Sequence, residues 1–266
     1  MAVWDIKERY NLARGNNLFS GTGNRGIFSG GNPDTTTLDF IEISSAGNAT
    51  DFGDMTSGNY NGAGSGSHTR QIIGGGLLSP GSATNTTHFL VFSTLGNSVD
   101  FGDLTIARNG LGATSSSTRT IFAGGQTPTI LNTIDFFTSA SQGNATDFGD
   151  LTLARQYPQG LASSTRGVFA GGYDNGNSAY SNVIDYVTIA STGDATDFGD
   201  LTVARSQSYG GVSSNIRGVF LPGTNPDNVT IDYVTIASTG NAADFGDPGT
   251  IGGDMTGFSN GHGGLS

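Results

Sequence analysis

Apolar residues along this chain fall in short, β-branched runs separated by glycine and small polar residues, as in Ile184-Asp185-Tyr186-Val187-Thr188-Ile189. Runs of this length and make-up predict strands. A second kind of run is led by arginine: Arg25-Gly26-Ile27-Phe28, Arg70-Gln71-Ile72-Ile73, Arg119-Thr120-Ile121-Phe122, Arg166-Gly167-Val168-Phe169 and Arg217-Gly218-Val219-Phe220. Four of these end in a glycine doublet or triplet, and the fifth ends in Pro222-Gly223. A third kind is the box Asp-Phe-Gly-Asp, preceded each time by a Gly-Asn or Gly-Asp pair such as Gly47-Asn48 or Gly193-Asp194. A Gly-X pair between β-rich runs predicts a tight hairpin. Between box and arginine run lies a fourth, small-residue stretch, for example Ser208-Tyr209-Gly210-Gly211-Val212.

The four kinds recur in fixed order. The box begins at Asp51, Asp100, Asp147, Asp197 and Asp244, at intervals of 49, 47, 50 and 47 residues. Four strands in a period of about 40 to 50 residues is the signature of a propeller blade. The expected fold is therefore all-β: a kelch-like β-propeller with five blades of four antiparallel strands over residues 15–250. Residues 1–14 form an N-terminal arm or closing strand, and residues 251–266 a partial repeat that closes the ring. Because Asp254-Met255-Thr256 resembles Asp54-Met55-Thr56, a six-bladed ring with a mixed terminal blade is the alternative.

Spacing separates constant from variable segments. From the third-strand aspartate position (Asp39, His88, Asp135, Asp185, Asp232) to the box is always 12 residues. From the end of the arginine-led strand to that position the counts are 8, 12, 10, 13 and 9. The variable loops emerge on one rim, together with the blade-to-blade connections, and variable loops on a rigid scaffold are where binding is usually placed. Leu78, Ser79, Pro80, Gln126, Thr127, Tyr173, Asp174, Asn175, Asn177 and Tyr180 are the candidate binding residues. The N-terminal segment holds the only tryptophan, Trp4, and the only lysine, Lys7, and these with Tyr10 are the candidate docking anchors.

Charge then sorts the chemistry. The chain has 266 residues, 11 basic against 22 acidic side chains, a net charge of -11 and no cysteine. Disulfides and zinc–cysteine sites are excluded, and a nucleic-acid partner lacks the basic stripe it requires. No apolar run reaches the ~20 residues that would cross a bilayer as a helix, so no membrane insertion is expected. Nine of the ten arginines occupy two repeat positions, which argues for scaffold ion pairs. In the second repeat Asn59 replaces the first of those arginines and His88 replaces the aspartate, so both partners vanish together. The pairs expected are Arg14–Asp39, Arg108–Asp135, Arg155–Asp185 and Arg205–Asp232, with neutral Asn59 and His88 in their place in repeat two.

Two motifs suggest phosphate chemistry and fail on context. Gly21-Thr22-Gly23-Asn24-Arg25-Gly26 matches a phosphate loop and Asp51-Phe52-Gly53 a kinase magnesium triplet, yet the one lysine precedes the glycines and the triplet recurs five times. No cofactor is expected. The box aspartates offer oxygen ligands of the type calcium takes, but such carboxylates more often cap turns through backbone N–H groups. The histidines His68, His88 and His262 stand at different phases of the repeat, so no shared metal site is expected.

The glycine doublets followed by an aromatic box and then Ala107-Arg108, Ala154-Arg155 or Ala204-Arg205 resemble the kelch motif over nearly the whole chain, with Phe52, Phe101, Phe148, Phe198 and Phe245 in the place of its tryptophan. The opening Met1-Ala2-Val3-Trp4-Asp5-Ile6-Lys7 and the strings Gly-Asn-Ala-Thr-Asp-Phe-Gly-Asp-Leu-Thr and Arg-Gly-Val-Phe-Ala-Gly-Gly resemble kelch-type repeat proteins encoded by marine tailed bacteriophages that infect cyanobacteria. That resemblance implies a non-enzymatic virion structural protein, such as a fibre, adhesin or decoration protein, made in the host cytoplasm and located in the virion. Its implied partners are other virion proteins and host-surface glycans. The alternatives are a propeller-type glycan-processing enzyme, which requires convergent acids or bases outside the repeat frame, and a soluble interaction adaptor.

Overall fold

A computed structural model describes residues 25–248 except 31–34, 43–44, 68, 175–178, 207–210 and 224–228. The first sheet holds β1 (Arg25–Ser29), β2 (Thr35–Glu42) and β3 (Thr50–Asn59). Its expected small-residue strand would precede Arg25, outside the described residues. The second sheet holds β4 (Ala63–Gly66) and β5 (Arg70–Gly74), then, beyond a hairpin of β6 (Leu77–Leu78) and β7 (Ser82–Ala83), β8 (Thr86–Val91) and β9 (Val99–Asp103). The third repeats this order with β10 (Gly112–Ser115), β11 (Arg119–Ala123), the hairpin β12 (Gln126–Thr127) and β13 (Thr129–Ile130), β14 (Thr133–Thr138) and β15 (Thr146–Asp150). In the fourth, β16 (Gln159–Ala162) and β17 (Arg166–Ala170) are followed by the hairpin β18 (Tyr173–Asp174) and β19 (Ala179–Tyr180), then by β20 (Val183–Thr188) and β21 (Thr196–Asp200). The fifth consists of β22 (Gly211–Ser213), β23 (Arg217–Phe220), β24 (Ile231–Thr235) and β25 (Ala243–Gly246). All pairings are antiparallel, and in the second, third and fourth sheets the second strand pairs with the third across the small hairpin, as β5 does with β8.

The box builds a bulge at the same place in each sheet. In the third, Ile134 faces Gly149 and Asp135 faces Asp147, so Phe148 is the extra residue; the register shifts alike at Leu38/Asp39, Thr87/His88, Ile184/Asp185 and Ile231/Asp232. A bulge re-aims a side chain. Here the released phenylalanine turns toward the next sheet. The glycine beside it has φ of +140 to +144° in Gly53, Gly102, Gly149 and Gly199, a region other residues rarely enter. A Cβ there would also strike the backbone of the next sheet's Gly-Asn or Gly-Asp turn at 2.3–2.6 Å.

That turn is the mortar between sheets. Gly96, Gly143, Gly193 and Gly240 donate their N–H to the carbonyls of Phe52, Phe101, Phe148 and Phe198 at 2.7–2.8 Å. Ser98, Ala145, Ala195 and Ala242 donate to the second box aspartate's carbonyl at 2.8 Å. Apolar clusters fill the space behind: Phe52 packs with Ile73 and Leu90 of the second sheet, and Phe198 with Val234 and Ile236 of the fifth. The second arginine ties the same seam from the other side. Each of Arg25, Arg70, Arg119 and Arg166 lies over the aromatic ring opposite it at 4.4–5.0 Å and donates to a carbonyl of the next sheet: Phe92, Ala140, Ile189 and Ile236 respectively.

These units were expected to be blades of a closed five-bladed kelch-like β-propeller. That expectation is corrected: the described residues form an open row of antiparallel sheets, none closed into a barrel or curled into the blade of a ring. Closure would bring the first sheet's turn onto the fifth sheet's box. Phe245 of that box is 53% exposed, whereas Phe52, Phe101, Phe148 and Phe198 are 2–3% exposed. What remains of the expectation is an all-β repeat of mostly four-stranded antiparallel sheets. The six-bladed alternative drew its last blade from residues 1–10 and 254–264, outside the described residues. No helix among the described residues is long and apolar enough to cross a membrane.

Candidate functional site

The variable loops form a rim of small hairpins. Leu77, Gln126 and Tyr173 at the hairpin bases each form a β-bridge with the connection that leads into their own sheet, at Tyr60, Asn109 and Gln156. Hairpin and inter-sheet connection therefore share one edge. The glycine doublet before each hairpin is pinned to the next connection, with Gly76, Gly125 and Gly172 donating to the carbonyls of Arg108, Arg155 and Arg205 at 2.8–2.9 Å. On this frame Ser79 and Pro80 are exposed and joined by a cis peptide, while Leu78, Gln126 and Thr127 are half-buried. Tyr173 and Tyr180 stack edge to face at 5.7 Å, and Tyr180 is 37% exposed. Asp174 is buried. Asn175 and Asn177 lie outside the described residues, as do Trp4, Lys7, Tyr10 and Arg14.

Two residues missing from the sequence reading belong to this rim. Tyr157 has φ +57° and Asn61 φ +56°, a left-handed conformation that is uncommon for a residue with a side chain and rare for a bulky one. Gly110 takes the same position between the second and third sheets with φ +65°. The three are linked across sheets: Gly110 donates to the Asn61 carbonyl at 2.9 Å, Tyr157 N–H donates to the Gly110 carbonyl at 2.5 Å, and Asn61 Nδ2 reaches the Tyr157 hydroxyl at 3.4 Å. The signal was present in the alignment of repeats, where a tyrosine stands in a glycine or asparagine position. Backbone held in a sparsely populated region is a mark of functional positions.

The arginine–aspartate positions lie beneath the rim. Arg108 Nη1 and Asp135 Oδ2 are 3.0 Å apart, Arg155 Nη2 and Asp185 Oδ2 2.9 Å, and Arg205 Nη2 contacts Asp232 Oδ2, all with fully buried side chains. Burial pushes each guanidinium's pKa down, and the facing aspartate opposes that shift. Arginine keeps its charge in proteins. Each aspartate also accepts from a threonine of the preceding box strand's extension: Thr105, Thr152 and Thr202 give a hydroxyl bond of 2.5–2.6 Å and an N–H bond of 3.1–3.2 Å. Asp39 sits half-buried on β2, with its expected partner outside the described residues.

The second sheet is built differently. His88, buried, hydrogen-bonds through Nδ1 to the Thr56 hydroxyl at 2.9 Å and through Nε2 to the Ser57 hydroxyl at 3.3 Å. Asn59 donates to the Gly75 carbonyl at 2.8 Å. Each residue thus takes its own partners instead of forming a neutral copy of the ion pair. Burial lowers the His88 pKa, and Asp100 partly offsets this.

The box carboxylates are used locally. Asp51, Asp147, Asp197 and Asp244 accept the N–H of the box glycine two residues on, at 2.8–3.3 Å. Among the described residues no group of three or more His, Asp or Glu side chains is placed to hold a metal ion. The rim therefore offers hydroxyls, amides and aromatic faces, a set suited to adaptable hydrogen bonding and flat stacking. No family model matches this sequence, and no curated protein matches it at a significant level.

Proposed function

We propose that this chain is a non-enzymatic structural and binding protein of a tailed-phage particle. Residues 1–14 serve as the docking arm toward other virion proteins, and the hairpin rim faces outward toward host-surface glycans. The observation that carries the reading is a division of labour. Buried charged groups repeat in one scaffold role across three sheets, while variation in length and side chain gathers at the rim. Tyrosine, asparagine, glutamine and threonine at that rim are residue types that bind sugars and proteins through stacking and hydrogen bonds. The source of the virion assignment is the resemblance of the repeat strings to phage-encoded proteins.

Mass spectrometry of purified particles tests the location, with the chain expected among the particle proteins; its restriction to the soluble lysate would overturn the assignment. A glycan array tests the rim. Binding should weaken about ten-fold or more in a Tyr173→Ala/Tyr180→Ala variant, as removal of an aromatic anchor does at other interfaces.

A further inference from the structure

The four seams inside the chain use one interface four times, and the two ends of the row carry its unmatched halves. At the far end, β25 presents the box with Phe245 53% exposed, although it keeps the edge-to-face contact with Tyr233 that every box phenylalanine makes with its own sheet. Gly246 has the same positive φ, +133°, as the internal box glycines, yet nothing lies within 4 Å of where its Cβ would stand. Arg217 lies over Tyr233 at 4.6 Å like its four counterparts. It is exposed, whereas those four are half-buried and donate to the next sheet. Its neighbour Ile216 is 70% exposed.

At the near end the corresponding turn has no seat among the described residues: Ala49 is exposed. The residues that correspond to Ala49 in the later sheets, Ser98, Ala145, Ala195 and Ala242, are buried or half-buried against the preceding box. Asn48 corresponds to Asn97, Asn144 and Asn241, whose side-chain oxygens accept the N–H of Asp54, Asp103 and Asp200 at 3.0–3.1 Å.

We propose that the β25 edge receives the Gly47–Asn48 turn of a second copy of this chain, so that copies join head to tail through a fifth instance of the internal seam. Gly47 and Ala49 donate to the carbonyls of Phe245 and Asp247, Asn48 accepts from the Asp247 N–H, and Phe245 is covered as its four counterparts are. A second copy is the occupant because it carries this turn free: among the described residues the row is open and its ends do not meet. Such an interface is heterologous, giving a ring of copies where the rotation closes and a filament where it does not.

The chain has no cysteine, so single-cysteine variants report cleanly. Asn48→Cys and Asp247→Cys proteins, mixed and treated with a short bismaleimide, should give a two-chain adduct containing one of each. Adding Phe245→Asp to the second protein should suppress it, and the same substitution in the otherwise native chain should weaken self-association about ten-fold or more in sedimentation velocity. Because Phe245 is exposed, that variant should keep the native circular dichroism and melting temperature. Monomeric sedimentation at every concentration, or association untouched by Phe245→Asp, would overturn the proposal. So would an Asn48→Cys/Asp247→Cys chain that cross-links only within itself, which would show its own first sheet to be the occupant.

Discussion

The second sheet and the fourth solve the same problem with opposite chemistry. In the fourth, Arg155 and Asp185 bury a charge pair beneath the rim, with Nη1 donating to the Val183 carbonyl and Nη2 to Phe169. In the second, His88 takes the aspartate's place and gathers the hydroxyls of Thr56 and Ser57. Both leave the register and the bulge unchanged. The lesson is that the threonine after the box, and not the arginine, is the common partner: Thr56 and Thr152 bond to whatever side chain holds the third-strand position.

The largest expected effect comes from breaking the charged version. Asp185→Ala leaves the Arg155 guanidinium buried without its counter-charge and should cost about 3–5 kcal/mol in urea unfolding. His88→Ala strands the hydroxyls of exposed Thr56 and half-buried Ser57 and should cost less, about 1–3 kcal/mol. Equal losses would show the two arrangements to be energetically alike.

Transplanting the pair sharpens the comparison. His88→Asp alone buries a carboxylate with no arginine at position 59 to pair with, and Asn59→Arg alone buries an unpaired guanidinium; each should destabilise. The double variant should recover part of the loss, with a coupling of about 1–3 kcal/mol in a double-mutant cycle. Additive losses would mean that the second sheet no longer has room for the pair.

A pH titration separates the sheets without mutation. His88 is held below its ordinary value of 6.5 by burial, so the unfolded chain binds the proton more readily. Stability from this group is complete above pH 6.5 and is lost as the pH falls from there through the lowered pKa. His88→Gln should flatten the decline in melting temperature between pH 7 and 5, and an unchanged slope would assign the decline elsewhere.

The smallest effect lies on the seam. Asp194 replaces the asparagine found at 97, 144 and 241, and its carboxylate accepts the Asp150 N–H at 3.1 Å. Partial burial, then Asp194 and Asp147, raise the Asp150 pKa. A raised carboxylate favours the protonated form in the folded state, so stability declines as the pH rises through its titration. Asp194→Asn should recover stability at pH 7 by no more than about 0.5 kcal/mol, since the site is mostly exposed. Thermal melts at pH 4 and pH 7 should differ less in the variant than in the parent.

Much of this could be read from the repeat alone. The 12-residue spacing from Asp185 to the box marked the connection between them as constant, and the joint loss of arginine and aspartate in repeat two pointed to their pairing. The hidden features depend on neighbours in space. His88 could find Thr56 and Ser57 only once the first sheet's long β3 crossed behind it, and the strain at Tyr157 appears only where three inter-sheet connections line up.

The sequence by itself determined the strands and their order within each unit, because both are written within one period and repeated with the same residues; the box bulge and the hydrogen-bonded seam between sheets emerged only in the structure. Only the tertiary structure decided that the described sheets form an open row. Closure depends on rotations between neighbouring sheets that accumulate over the whole row. A seam residue fixes its own contact but carries no information about where the fifth sheet lies relative to the first.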